Sequence, residues 1–190
     1  MAKIVVCSDN NYGCGKSSSI IRFVNNQFIE EYDPLVEDFF WKEVNIDDMT
    51  ITLKILDLAG AEYYNYLKHC VLNVPHKYTG VLFLYDITNR SSFDAITNYE
   101  SEILRIKKEN VPFILCGNRI DLEKQRQVQT WEGQQKADSL GVSFIEMSAK
   151  TGENINEAFF ILTRQIVQKN PKYFKRKRKE KLEKKECYLL

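Results

Sequence analysis

The sequence contains no apolar run approaching the ~20 residues that a helix needs to cross a bilayer; its first such run is about five residues long. Histidine is scarce. His69 and His76 are the two present, without metal-ligand companions, and both read as ordinary polar positions. The five cysteines, Cys7, Cys14, Cys70, Cys116 and Cys187, are odd in number and lack metal-ligand spacing. Cys7 and Cys116 lie in apolar runs and read as small core residues. With no secretion signal read at the amino terminus, the free thiols predict a reducing, intracellular setting. No internal repeat is evident, and low complexity is confined to the Lys/Arg/Glu-rich end.

What is present fits one globular domain. A chain of 190 residues is long enough to bury a proper core, and 44% hydrophobic with 28% charged residues is ordinary for a soluble protein. The net charge of +1 hides an asymmetry. Residues 172–190 hold nine Lys/Arg against three Glu, net +6, while the remainder holds 18 basic and 23 acidic residues, net −5. Such a split marks an address on the chain's end and says nothing of the fold.

Apolar, β-rich runs at 3–7, 39–46, 50–57, 80–86, 111–117 and 143–147 predict six strands. Four are almost continuously hydrophobic, as strands buried on both faces of a parallel sheet are. The short Asp47-Asp48 link makes the second and third an antiparallel hairpin. Amphipathic stretches at 16–26, 63–73, 91–110, 130–140 and 154–169 predict helices. Ser91 or Ser92, Thr130, and Glu153 or Asn154 are the expected caps, and Pro171 should stop the last helix. The expected fold is α/β: a six-stranded, mostly parallel sheet with one antiparallel hairpin strand and about five flanking helices.

Closely following the first strand comes Gly13-Cys14-Gly15-Lys16-Ser17, with a helix behind it. Loop N–H groups and the helix N-terminus can surround phosphates, Lys16 adds a point charge, and the Ser17 hydroxyl suits Mg²⁺. A strict version would place Gly at position 10; Asn10 stands there, a residue that enters the left-handed region readily. Four further motifs follow in order. They are Tyr32-Asp33-Pro34-Leu35-Val36-Glu37-Asp38 before the second strand, Asp57-Leu58-Ala59-Gly60 after the third, Asn118-Arg119-Ile120-Asp121 after the fifth, and Ser148-Ala149-Lys150 after the sixth. With them, the chain resembles the Ras superfamily of small GTPases over roughly residues 3–170, closest to the Ras branch. Tyr85-Asp86-Ile87-Thr88-Asn89-Arg90 is similar to wording shared by the Ras and Rab branches.

The resemblance implies a P-loop NTPase fold, with a nucleotide domain over 1–170 that binds GTP or GDP with Mg²⁺. Gly13, Cys14, Gly15, Lys16, Ser17, Ser18 and Gly60 would face the phosphates. Ser17 and, through water, Asp57 would hold the metal. Phe28, Asn118, Arg119, Asp121, Ser148, Ala149 and Lys150 would form the guanine pocket. There Asp121 accepts from the N1–H and N2–H₂ edge that adenine lacks, and a mismatch leaves its carboxylate unpaired. Arg119 stands in place of the family's Lys and would lay its planar stem along the base. The Ala149 N–H would meet the guanine carbonyl oxygen, with Phe28 on the ring's other side. Tyr32, Asp33, Pro34, Leu35, Val36, Glu37, Asp38, Phe39 and Phe40 would form the effector surface. Their acidic sheet edge suits a basic partner, or is simply a solvated edge.

The hydrolytic positions depart from the family. Ala61 replaces the Gln that orients water, so no catalytic residue is intact there. Leu35 replaces the Thr that ligates Mg²⁺ and offers no oxygen. Tyr12 occupies the small-residue position beside the γ-phosphate, unless a two-residue lengthening of the loop carries it clear. These changes predict impaired intrinsic and activator-stimulated hydrolysis. The alternative is a pseudo-GTPase binding module whose nucleotide is structural or absent.

At the end, Cys187-Tyr188-Leu189-Leu190 fits a prenylation box, and the basic block at 175–179 supplies the second anchoring signal. Residues 171–190 are expected to be a disordered basic tail that holds the chain on the cytoplasmic face of an anionic membrane, the plasma membrane being the expected one. Such a block also suits nucleic acid, but its prenylation-box ending points to a membrane instead. Exchange-factor and effector proteins would dock on the two switch loops.

Overall fold

The computed structural model describes residues 1–9, 13–29, 38–57, 79–108 and 110–174. They form one six-stranded sheet built from β1 (Ala2–Ser8), β2 (Asp38–Ile46), β3 (Met49–Asp57), β4 (Thr79–Asp86), β5 (Phe113–Asn118) and β6 (Ser143–Met147). The strands lie in the order β2-β3-β1-β4-β5-β6. Only β2 and β3 run antiparallel; the other pairs are parallel. The helices are α1 (Lys16–Asn25), α2 (Arg90–Asp94), α3 (Glu100–Lys108), α4 (Thr130–Leu140) and α5 (Ile155–Lys169). The six expected strands and the hairpin are all there. The expected helix at 63–73 lies outside the described residues.

The continuous apolar runs explain the sheet's position. All of β5 is buried, and so is β4 after its first residue. One face packs on α1 and α5, whose seam includes Phe23 stacked on Phe159 at 4.0 Å. The other face carries Val5, Phe83, Tyr85 and Leu115 beneath Ile103 and Ile106 of α3 and Ala137 and Leu140 of α4. Gly80 lets α5 approach closely, since a Cβ there would stand 2.8 Å from Leu162 Cδ1 and 2.9 Å from Ile166 Cδ1. The hairpin turn places Asp47 and Asp48 at φ of 48° and 60°, the left-handed pair that matches the twist of a two-residue hairpin.

Several boundaries differ from the sequence reading. The expected single helix at 91–110 is α2, a 3-10 segment Ala95–Tyr99, and α3. β-branched Ile96 and Thr97 and aromatic Tyr99 are poor α-formers, and the tighter turn directs the Tyr99 hydroxyl to Asp9 Oδ2 at 2.9 Å. The expected strand at 111–117 starts at Phe113, because Pro112 has no N–H for a ladder; its carbonyl instead accepts from Val81 N at 2.9 Å. Caps also shift. Asn89, two residues before the nearer of the expected serines, accepts from Ser92 N. Gln129 precedes α4, with Glu132 reaching back to its N–H at 2.8 Å, while Thr130 donates to Glu146 Oε2 instead. Asn154 does precede α5, but its side chain donates to Glu146 O at 2.8 Å and does not cap. Past Lys169, Tyr173 packs on the core and Phe174 is buried in it.

Candidate functional site

Loops from four strand ends converge over the carboxyl edge of the sheet, where open α/β sheets hold ligands. β1 ends in buried Ser8, and the chain re-enters the described residues at Gly13 and Cys14 before α1 begins. Gly15 has a φ of 82°, and a Cβ there would lie 2.5 Å from Asn118 Nδ2, so only glycine passes this point without strain. Lys16, Ser17 and Ser18, all half-buried, then open α1. Their first N–H groups lack intrahelical acceptors, which leaves a positive helix end at the loop. Lys16 Nζ donates to Ser8 Oγ at 3.0 Å. Burial pushes the Cys14 thiol above its ordinary range, the Lys16 charge offsetting this in part, so Cys14 stays a neutral thiol.

The end of β5 ties this loop to its neighbours. Asn118, buried, donates through Nδ2 to Cys14 O at 2.9 Å and accepts at Oδ1 from Ala149 N at 3.1 Å. One amide thus joins the loop after β1 to the loop after β6. Arg119, in the left-handed region at φ 73°, pairs with buried Asp86 Oδ2 at 3.0 Å and donates to Gly13 O at 2.8 Å. A 3-10 segment at Ile120–Gln125 follows and presents Asp121 to solvent. Ser148 Oγ donates to Asp121 Oδ1 at 2.5 Å and accepts from Thr151 N at 3.0 Å. Lys150 is exposed, Phe28 is half-buried against the core, and Asp57 is buried at the end of β3.

Lys16, Ser17, the helix end and Asp57 therefore sit at adjoining strand ends, a donor set that fits a phosphate chain and a hard divalent cation. Asp121, Ala149 and Phe28 offer a carboxylate, a backbone N–H and a ring, which fit a flat base with donors and a carbonyl. In this structure the Ala149 N–H is directed to Asn118. Phe39 is exposed on β2, beside Lys54 Nζ at 3.7 Å from its ring centre, and Phe40 is half-buried. Asp38 begins the strand. Tyr12, Tyr32, Asp33, Pro34, Leu35, Val36, Glu37, Gly60, Ala61 and Cys187 lie outside the described residues.

Four polar participants escaped the sequence reading: Ser8, Arg22, Asp86 and Tyr99. A hydroxyl closing the apolar run of β1 was a usable signal for Ser8, and the Tyr85-Asp86 wording for Asp86. Nothing local points Tyr99 at Asp9, or Arg22 at a loop 127 residues away.

The Ras family model matches residues 3–168. The chain is 41% identical over 168 residues to Ras-like protein rasC of Dictyostelium discoideum, covering 87% of this chain and 86% of that one. Against Ras-like protein rasB of the same organism it is 41% identical over 155 residues, 81% of this chain and 77% of that one. Against Ras-like protein 1 of Saccharomyces cerevisiae it is 39% identical over 172 residues, 90% of this chain; it spans about half, 54%, of that longer relative.

Proposed function

This chain belongs to the Ras family of small GTPases, and from that premise we propose that it is a guanine-nucleotide switch that hydrolyses GTP slowly and signals from a membrane. The observation that carries the nucleotide reading is the Asn118 amide, which bonds both the phosphate-side loop at Cys14 and the base-side loop at Ala149. In this reading Gly13, Cys14, Gly15, Lys16, Ser17, Ser18 and Gly60 surround the phosphates. Ser17 and, through water, Asp57 hold Mg²⁺, which neutralises phosphate charge. Asp121 reads the guanine edge, and Phe28, Asn118, Arg119, Ser148, Ala149 and Lys150 complete the pocket.

Slow turnover is supported by residue chemistry alone. Ala61 cannot orient a water, and Leu35 cannot ligate a cation. The nucleotide domain spans 1–170, with Tyr173 and Phe174 just beyond it packed onto its core. Residues 171–190, with a prenyl group on Cys187 and the basic block at 175–179, hold it to the cytoplasmic face of the plasma membrane. Effector and exchange proteins dock on residues 32–40 and on the loop after Gly60.

The deciding experiment is the nucleotide content of the protein as purified. Near-stoichiometric GTP means a working pocket with failed hydrolysis. Leu35 and Ala61 also support the second reading, a Ras-shaped binding module without turnover, and an empty pocket that GTP does not refill decides for it.

A further inference from the structure

Arg22 lies in the last turn of α1, and its guanidinium contacts three backbone carbonyls. Nε donates to Ala149 O at 2.9 Å, Nη2 to Lys150 O at 2.5 Å, and Nη1 to Asn26 O at 3.1 Å. Two of these carbonyls belong to the loop after β6. The third belongs to the left-handed residue that closes α1, at φ 56°, and begins the segment leading to Phe28.

One planar fork therefore gathers two separate walls of the base-side pocket. Ala149 is held at both ends, its N–H by Asn118 and its carbonyl by Arg22. A lysine could reach one of the three carbonyls at a time but could not span them, because its ammonium is a single point on a flexible stem. The stem passes beside Gly152, where an added Cβ would only make an ordinary 3.5 Å contact with Arg22 Cδ.

Given the guanine-nucleotide reading above, we propose that Arg22 is a positioning residue that fixes the spacing between the Phe28 segment and the Ala149–Lys150 loop, and so sets nucleotide residence and base discrimination. Its three hydrogen bonds all go to backbone carbonyls on the base side. Its removal loosens the base pocket while leaving Lys16 and Ser17 in place.

The test uses the full chain loaded with N-methylanthraniloyl-GDP and chased with unlabelled GDP. Arg22→Met should release the label about tenfold faster, as expected for lost charged hydrogen bonds to carbonyls, with Arg22→Lys between it and wild type. The ratio of ADP to GDP needed to displace the label should also fall in Arg22→Met. A general weakening of the fold lowers both affinities together and leaves that ratio unchanged. Wild-type release rates, or an unchanged ratio, in a variant folded by circular dichroism overturn the assignment. Should Arg22→Met fail to fold, the same readouts on Arg22→Lys decide. A wild-type chain that takes up no labelled GDP overturns the nucleotide reading itself, and the role of Arg22 with it.

Discussion

Tyr85 on β4 has no solvent exposure, and its hydroxyl has no hydrogen-bond partner among the described residues. The ring meets Phe93 edge-on at 5.0 Å, and a Cβ on Gly117 would approach its oxygen to 2.8 Å. Burial raises this phenol far above its ordinary range, so it is neutral around neutral pH. A buried donor without a partner costs free energy, and Tyr85→Phe removes it while keeping the ring. Its denaturation midpoint should equal or exceed the wild type's, by up to about 1 kcal/mol of stability. Glu132 is the opposite case: its carboxylate takes both Arg90 Nη1 and Nη2 and the Gln129 N–H, and the Arg90 bonds hold it below the usual carboxylate range. A carboxylate depressed in the folded state contributes its stability above the unfolded pKa, ~4.3 for glutamate, and loses it as pH falls below that value. Stability measured by urea unfolding should therefore drop less steeply with acid in Glu132→Gln than in wild type. Neither residue was legible beforehand. An apolar run shows that position 85 is buried but not that its hydroxyl lacks an acceptor, since that depends on Gly117 and Gly133 arriving from elsewhere.

At the scale of elements, what was legible were the strands, because their apolar runs are decided by burial on both faces and tolerate little else. Helix starts and stops were less legible. They depend on which nearby side chain reaches a free N–H, and Asn89 or Gln129 competes there with the serines and threonine beside them. The break at Ala95–Tyr99 depends on a long-range partner, the Asp9 carboxylate, which no window along the chain contains. The fit between elements sets the next prediction. Gly80→Ala pushes against Leu162 and Ile166 of α5, and overpacking of this kind costs about 1–3 kcal/mol. The loss should be read as a lower midpoint in denaturant with the slope unchanged. The last helix raises a related question of where its packing ends. Phe174 is 5% exposed, so a chain ending at Asn170 should be less stable than one ending at Phe174 by ~1.5–3 kcal/mol, the value of burying such a ring.

For the whole molecule, the candidate pocket joins segments from Gly13 to Lys150, and its motifs were legible because each lies at or soon after the end of a strand. The bonds between those motifs were not. Arg119 to Asp86 and Arg22 to the loop after β6 follow from the topology, which brings distant strand ends side by side. Function gives the largest-scale prediction. Single-turnover hydrolysis of bound GTP should be slow and should gain little from an activating protein, whose arginine finger normally supplies ~10³–10⁵-fold. Ordinary small-GTPase rates in that assay would sink the slow-switch reading. Cys187→Ser should move the chain off membranes in a flotation assay.

The strand order carries a further consequence, for how the chain is made. β1 pairs on one side with β3 and on the other with β4, so this strand leaves the ribosome before either of its neighbours exists. The β2–β3 hairpin can zip locally as soon as Met49–Asp57 is out, yet the sheet's centre stays open until Thr79–Asp86 has been synthesised. Until then Ile4, Val5 and Val6 lack at least one of their two neighbouring strands, leaving an apolar edge of the kind that chaperones at the tunnel exit would hold.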